Sequence, residues 1–275
     1  MKRDELLITC SKYALLLIVS IFFLFPIVWT LIISLKTQAE ALAYPPKFIF
    51  RPIPDNYIAV IAREDFVRSL TNSIILSTVS TALSTLLGAL AAYALVSMPL
   101  KGKGGMFFGF FLGRIIPPIA FAVPLYTLYL NLNLINTHFG LILVYTLVAL
   151  PFVVWMTASY LVSLPKEIEE AAMLDGASRF KTFIHIILPL SAPGIAAAAI
   201  FSFIMIWNEF LFTFTLSGEE TATLTILVSK FIGIYGVQYI SPMAATGILI
   251  ILVPMIASWL LQRWIIRGLT LGAVK

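Results

Sequence analysis

The chain has 275 residues, 60% of them hydrophobic and 11% charged, with a formal net charge of +5. A mean hydropathy of +1.01, against soluble domains in which about 25% of residues are charged, excludes a free-standing soluble enzyme or binding domain and indicates an integral membrane protein. The pI near 9.3, with no basic stripe interleaved with aromatics, fits an anionic inner leaflet and not a nucleic acid.

Crossing roughly 30 Å of hydrocarbon takes about 20 apolar helical residues. Six stretches qualify: Tyr13 to Leu35, Asn72 to Ser97, Met106 to Leu130, Phe139 to Val162, Ala192 to Leu216 and Met243 to Ile266. All are expected to be helices, because an open sheet edge in lipid leaves backbone groups unpaired. The expected fold is all-α and polytopic, a single transmembrane domain over residues 1–275.

The first span follows Lys2, Arg3 and Lys12, but its apolar run is too long for a signal-peptide core and no A-x-A-like site follows. It reads as a retained anchor. The long loop after it carries Pro45, Pro46, Pro52 and Pro54 around Phe48 and Phe50, which favours an extended path. A short interfacial helix is expected from Asn56-Tyr57, or the loop simply ties two spans together.

Short loops set orientation. Lys101 and Lys103 follow span two, Lys166, Arg179 and Lys181 follow span four, and Arg263, Arg267 and Lys275 sit at the C-terminus. Those segments are expected to be cytoplasmic, as are both termini. On the other side, Asn131 to His138 has no Lys or Arg and Ser217 to Pro242 has only Lys230. The first loop dissents with five basic residues, Lys36, Lys47, Arg51, Arg63 and Arg68, but it is long and also acidic at Glu40, Asp55, Glu64 and Asp65.

Pro117-Pro118 and Pro124 fall within span three, Pro151 within span four and Pro254 within span six. Prolines free carbonyls and kink helices, as a translocation path would use, and they are also generally common in membrane helices. No G-x-x-x-x-G-K-[ST] phosphate loop occurs, so any use of ATP needs a site on another chain. His138 and His185 lie on opposite expected sides and make no metal site, no nucleophile has a plausible base, and lone Cys10 says nothing of redox compartment. No catalytic residue is assigned.

One polar, small-residue-rich segment interrupts this apolar chain: Glu170 to Pro189. Ser163 is expected to cap a short helix from Pro165 to Asp175, with Glu167, Glu169 and Glu170 at the positive end of its dipole. Gly176 sits where a left-handed residue ends such a helix, and Ser178 can cap a second. On that second helix Phe180, Phe183, Ile184 and Ile187 share one face, and Pro189 closes it before span five. Ala171, Ala172, Gly176 and Ala177 leave the other surface small enough for close approach by a partner, with Glu170 and Asp175 fixing register. The pair reads either as a docking element or as amphipathic helices on the inner leaflet.

Glu209 lies within span five, where an ionised carboxylate costs at least about 2.5 kcal/mol unless it faces water or a partner. With Trp207 and Asn208 it makes a polar and aromatic set of the kind that holds a sugar on a substrate path. The competing reading is a structural hydrogen bond between helices, with Arg114 of span three as partner.

Glu170-Ala171-Ala172, Gly176, Ile186 and Leu188-Pro189 have the spacing EAA, three residues, Gly, nine residues, Ile, one residue, Leu-Pro. In this the chain resembles the inner-membrane permease subunits of binding-protein-dependent ABC importers. Asp175-Gly176-Ala177 and Pro193-Gly194 strengthen the match. Trp207-Asn208-Glu209-Phe210 and the C-terminal Gly268-Leu269-Thr270 through Gly272-Ala273-Val274-Lys275 are similar to the carbohydrate, maltose-type branch.

The resemblance implies a type I importer permease fold in the inner (cytoplasmic) membrane, one half of a two-permease pore. Residues of about 165–189 would form coupling helices, with Glu170, Ala171, Ala172, Asp175, Gly176, Ala177, Leu188 and Pro189 serving ATPase coupling. The implied partners are a second permease in a heterodimer, two ABC ATPase subunits that bind ATP and Mg, an external solute-binding protein and membrane lipid, with no nucleic acid and no cofactor in this chain. The C-terminal tail would reach toward the ATPase, or be a frayed end. The implied substrate is a sugar or sugar derivative, with a polyol or sugar phosphate as alternative. An ion-coupled secondary transporter is disfavoured by having Glu209 as the only clear intramembrane acid.

Overall fold

A computed structural model describes residues 3–233 and 239–270. Lys2 and the end of the expected C-terminal tail, Gly272 to Lys275, lie outside the described residues. The contacts divide the chain into two compact units, one drawn from Met1–Val67 and Leu227–Leu252, the other from Arg68–Ile226 and Val253–Lys275.

In the first unit, α1 (Arg3–Ser34) is a long apolar helix with Pro26 inside it. None of its apolar window from Ile8 is buried within the chain, as expected of a helix whose surroundings are lipid. Helices end with unpaired carbonyls, and here the following loop supplies donors. Asn56 Nδ2 donates to Ser34 O at 2.9 Å and Lys36 O at 2.8 Å, and Ile53 N–H donates to Leu35 O at 2.9 Å. Between them come α2 (Gln38–Ala41), closed by a Thr37–Glu40 capping box, and α3 (Asp55–Ile61), the short helix expected near Asn56. The Thr37 hydroxyl and backbone N–H hold the Glu40 carboxyl below its usual range.

Lys36, one of the dissenting loop charges, is only 2% exposed. Its ammonium donates to Lys47 O at 2.6 Å and lies 4.9 Å from the Phe50 ring centroid and 5.7 Å from that of Trp29. The Lys36 charge is thus enclosed by the loop's own fold.

The second span is α4 (Glu64–Ser97). The third is not one helix: α5 (Lys103–Ile115) and α6 (Ile119–Asn131) meet at a bend of 96°. This corrects the expected continuous span from Met106 to Leu130. Pro117 and Pro118 both lack an N–H, and the residue before a proline is driven out of the helical region; Ile116 accordingly has ψ 125°. By contrast Pro151 is carried inside α7 (His138–Leu161) and Pro254 inside α13 (Ile240–Thr270) without ending either helix.

The connection after α7 is α8 (Lys166–Leu174) and α9 (Arg179–Thr182). A π-turn at Phe183–Ile187 then runs straight into α10 (Leu188–Trp207). The expectation that Pro189 closes a separate second helix is therefore corrected: Arg179–Trp207 is one rod of 29 residues. An α-helical turn here would press the Pro189 ring against the carbonyl of His185 and lack one hydrogen bond. Widening to a π-turn relieves this, and Leu188 N–H donates to Phe183 O, five residues back. At its far end α10 stops at Trp207, and α11 (Leu211–Leu216) and α12 (Leu224–Gly233) follow. The expected span Ala192 to Leu216 is thus broken near Glu209.

Two buried clusters hold the second unit together. Leu76, Tyr129, Leu141, Tyr145, Ile206 and Phe212 join α4, α6, α7, α10 and α11. Ala89, Tyr93, Ala158, Leu161, Phe183 and Ile187 join α4 and α7 to the start of the long rod. Association of helices in lipid relies on close backbone approach and interhelical hydrogen bonds. Ser84 Oγ and Ser202 Oγ lie 3.3 Å apart between α4 and α10, and Tyr145 pairs with Thr213 between α7 and α11. Gly194 of α10 lies directly against the Tyr160 ring of α7.

Candidate functional site

The α8–α9 connection carries the strongest local signals of the chain. Its helix begins at Pro165 with no side-chain cap; Ser163, expected as the cap, instead donates to Tyr160 O at 2.6 Å and finishes α7. Pro165 itself stands at the N-cap, with extended backbone at ψ 127°. The end of α8 is a Schellman closure: Ala177 N–H donates to Ala172 O at 3.0 Å and Gly176 N–H to Met173 O at 3.1 Å. That geometry needs a left-handed residue, and Gly176 has φ +81°. Ser178 caps α9 by accepting from Lys181 N–H at 3.3 Å.

The four-residue stretch between Ala172 and Ala177 is therefore a hydrogen-bonded stop that fixes how α8 leaves the bundle. Ala172 is buried, whereas Glu170, Ala171, Leu174, Asp175 and Gly176 are exposed and Ala177 is half-exposed. Leu174 is 89% exposed, an apolar side chain without cover among the described residues. Leu188 is half-buried and Pro189 exposed, at the far end of the π-turn.

The second helix differs from its expected single apolar face. Phe183 and Ile187 are buried against Ala89, Tyr93 and Leu161, while Phe180 is 66% exposed and Ile184 is also exposed. One neighbouring helix face covers only part of such a stripe, and α4 covers the Phe183 side.

Glu169, which the sequence offers only as a first-turn charge beside Glu170, has an inward partner in Tyr93. Tyr93 of α4 is 2% exposed, and its hydroxyl proton is shared between Glu169 Oε1 at 2.9 Å and Arg179 O at 3.2 Å. Arg179 Nη1 donates to Ser97 O, the last residue of α4, at 3.1 Å. It also stands 4.0 Å from Glu169 Oε1. The available signal was a single phenol among the alanines and leucines of Leu86 to Leu95.

The second candidate set, Trp207, Asn208 and Glu209, occupies the break between α10 and α11. The three side chains do not converge. Trp207 is buried and stacked on Phe203 with centroids 5.8 Å apart, and its indole N–H has no partner among the described residues. Asn208 is exposed and donates to Ile204 O at 2.7 Å. Glu209 Oε1 accepts from Phe212 N–H at 2.9 Å, starting α11. The carbonyl of Glu209, freed by the break, accepts from Thr213 at 3.1 Å and Thr225 at 3.0 Å.

Among the described residues Glu209 forms no ion pair with Arg114, which corrects the pairing considered from sequence. Arg114 lies over the Phe152 ring at 5.5 Å and donates to Met205 Sδ at 3.2 Å. The break in span five draws Glu209 to the backbone of α11, three residues ahead, before any distant cation. Glu209→Ala is expected to cost about 1 kcal/mol through the lost start of α11, read as a lower unfolding temperature of the purified protein. Glu209→Gln keeps the accepting oxygen and should be milder; equal and severe losses of uptake in both would show that the charge itself is needed.

Residues 84–271 match the family described as binding-protein-dependent transport system inner membrane component. The chain belongs to that family. It is a multi-pass subunit of the inner membrane. Over 279 residues it is 34% identical to the trehalose/maltose transport system permease protein MalG of Thermococcus litoralis, a match covering 99% of both chains. Over 257 residues it is 33% identical to the trehalose transport system permease protein SugB of Mycobacterium tuberculosis, covering 92% of both. Its fold is similar to a chain in the crystal structure of a bacterial ABC transporter involved in the import of the acidic polysaccharide alginate. That likeness has a TM-score of 0.74 and covers 96% of this chain and 98% of that one, at 20% identity. The α8–α9 connection and the α10–α11 break both fall within the part of the chain that matches the family.

Proposed function

We propose that this permease subunit is one membrane half of an ATP-driven importer for a sugar or sugar derivative, and that α8 is the part gripped by a separate ATPase subunit. The observation that carries the reading is the Schellman-closed helix of Glu170 to Gly176, anchored by Ala172 while Glu170, Leu174 and Asp175 stand outward. Such a stub is stiff, exposed and partly apolar, as a joint that transmits work has to be.

Two ATPase subunits supply ATP and Mg, a second permease completes the pore, and an external binding protein delivers the substrate. Both termini and the α8–α9 connection face the cytoplasm, following the basic short loops. The names of the two relatives, which specify trehalose and maltose, support a carbohydrate substrate. Glu170, Ala171, Ala172, Asp175, Gly176, Ala177, Leu188 and Pro189 serve coupling, and Trp207, Asn208 and Glu209 belong to the substrate path. Closure of the ATPase pair moves α8, and the rod from Arg179 to Trp207 carries that movement across the membrane toward the break at Glu209. Access to the path then alternates between the two sides.

The test is purification of the tagged chain from native membranes followed by reconstitution. An ATPase and a second permease should co-elute, and uptake of sugar should need both ATP and the binding protein. Uptake by the chain alone, driven by an ion gradient, would overturn the proposal.

A further inference from the structure

We propose that Tyr93, Glu169 and Arg179 form a latch through which the docking helix drives α4 as well as α10. The proposal rests on the reading of α8 as the ATPase contact. Adjacent glutamates on a helix point about 100° apart, and here they part company. The Glu169 side chain is 15% exposed and turned to Tyr93, whereas Glu170 is exposed. One faces inward to the bundle, the other outward to a partner.

The need for such a latch follows from connectivity. α8 is joined by short chain segments to α7 and to the Arg179–Trp207 rod, so movement of α8 reaches both directly. It has no covalent route to α4 except through the whole of α5, α6 and α7. Apolar packing alone would let α4 slide, since dispersion contacts have no preferred direction, whereas hydrogen bonds fix distance and angle.

Tyr93 supplies that fixed geometry. Its ring packs on Phe183 with centroids 4.8 Å apart and an interplanar angle of 34°, and its hydroxyl joins α8 to α9. Arg179 completes the node from the other side. Its guanidinium donates to Ser97 O, one of the carbonyls left unpaired at the end of α4, where a cation also complements the helix dipole. Its side chain is 42% exposed and borders a cavity of about 630 Å³ that Lys103, Lys166 and Glu170 also line. Tyr93 and Arg179 are positioning residues, acting through Glu169 and the end of α4.

The experiment uses the full reconstituted transporter with its binding protein and a transported sugar, reading solute molecules imported per ATP hydrolysed. Tyr93→Phe removes only the hydroxyl and keeps the ring on Phe183. It should leave assembly and stimulated ATP hydrolysis within about twofold of wild type while imported solute per ATP falls about fivefold or more, the lower range of coupling between sites. Glu169→Ala should behave likewise, and Glu169→Gln, which keeps an accepting oxygen, should restore the ratio. An unchanged ratio in Tyr93→Phe overturns the latch. So does a Tyr93→Phe protein that fails to assemble, which would make the residue structural. Glu170→Ala in parallel separates the two readings. If it disturbs coupling while Tyr93→Phe does not, only the latch falls; if neither changes anything, the docking role of α8 falls as well.

Discussion

Gly176→Leu is expected to reach the membrane in normal amounts yet lose about tenfold or more of its ATP-driven uptake, equivalent to about 1.4 kcal/mol at the joint. Two terms decide the size. The first is backbone strain: a side-chain-bearing residue at φ +81° pays about 1–2 kcal/mol, confined to the end of α8. The second is bulk. A Cβ at this position would meet nothing within 4 Å among the described residues, so the leucine does not disturb the bundle. It projects instead from the exposed end of α8, into the space a docked ATPase would occupy. Gly176→Ala and Gly176→Asn separate the terms. Alanine adds strain with little bulk, and asparagine adds modest bulk with less strain because it tolerates the left-handed region. Uptake and ATP hydrolysis measured in proteoliposomes should rank wild type, asparagine and alanine well above leucine. Equal loss in alanine and leucine would assign the effect to strain alone.

Gly194→Ala is expected to be the most damaging single-methyl change in the core, costing about 1–3 kcal/mol as overpacking does. The added Cβ would lie 2.3 Å from Tyr160 Cγ and 2.4 Å from Cδ2. These are ring atoms near the stem of a side chain that is only 8% exposed, so the ring cannot swing away and α7 and α10 must separate. In lipid no water is released by pressing two apolar helices together, and close backbone approach has to hold them. The unfolding temperature of the detergent-solubilised protein should fall for Gly194→Ala and recover in part for Gly194→Ala combined with Tyr160→Ala. Wild-type stability in the single variant would contradict the packing.

These two glycines show what was legible in the sequence. Gly176 was read correctly as a left-handed helix stop, because a local motif of small and polar residues carries its own backbone geometry. Gly194 stood in the sequence only as part of a Pro-Gly pair; its closeness to Tyr160 depends on how two distant helices cross. The spans themselves follow from apolar runs, since lipid leaves the backbone only one economical conformation. Hydropathy has no sense of direction, however, so it passed over the bend at Pro117-Pro118 and the break at Glu209. The π-turn was also hidden: Pro189 predicts an interruption, but whether the chain stops or widens depends on Phe183 and Ile187 being held against α4 and α7.

Charge was the least legible property. Lys36 looked like a surface loop residue and is enclosed between two rings, while Glu169 and Glu170 are identical in type and opposite in surroundings. Arg114 and Glu209, the obvious pair on paper, each found nearer partners. The helix periodicity that separates Glu169 from Glu170 was available, but the phenol that gives one of them an inward role came from α4, far away in the chain.

Site-directed cross-linking at Leu174 tests the central claim most directly. Cys10 is the single cysteine and is exposed, so it is first replaced by serine, and a cysteine is then placed at Leu174, the most outward apolar position of α8. With a short bifunctional reagent in native membranes, Leu174→Cys should join this subunit to an ATPase polypeptide, and the yield should change when ATP is added. A cysteine at Leu132, beyond the far end of α6, should give no such product. If Leu174→Cys never captures an ATPase while Leu132→Cys does, the docking role of α8 is contradicted.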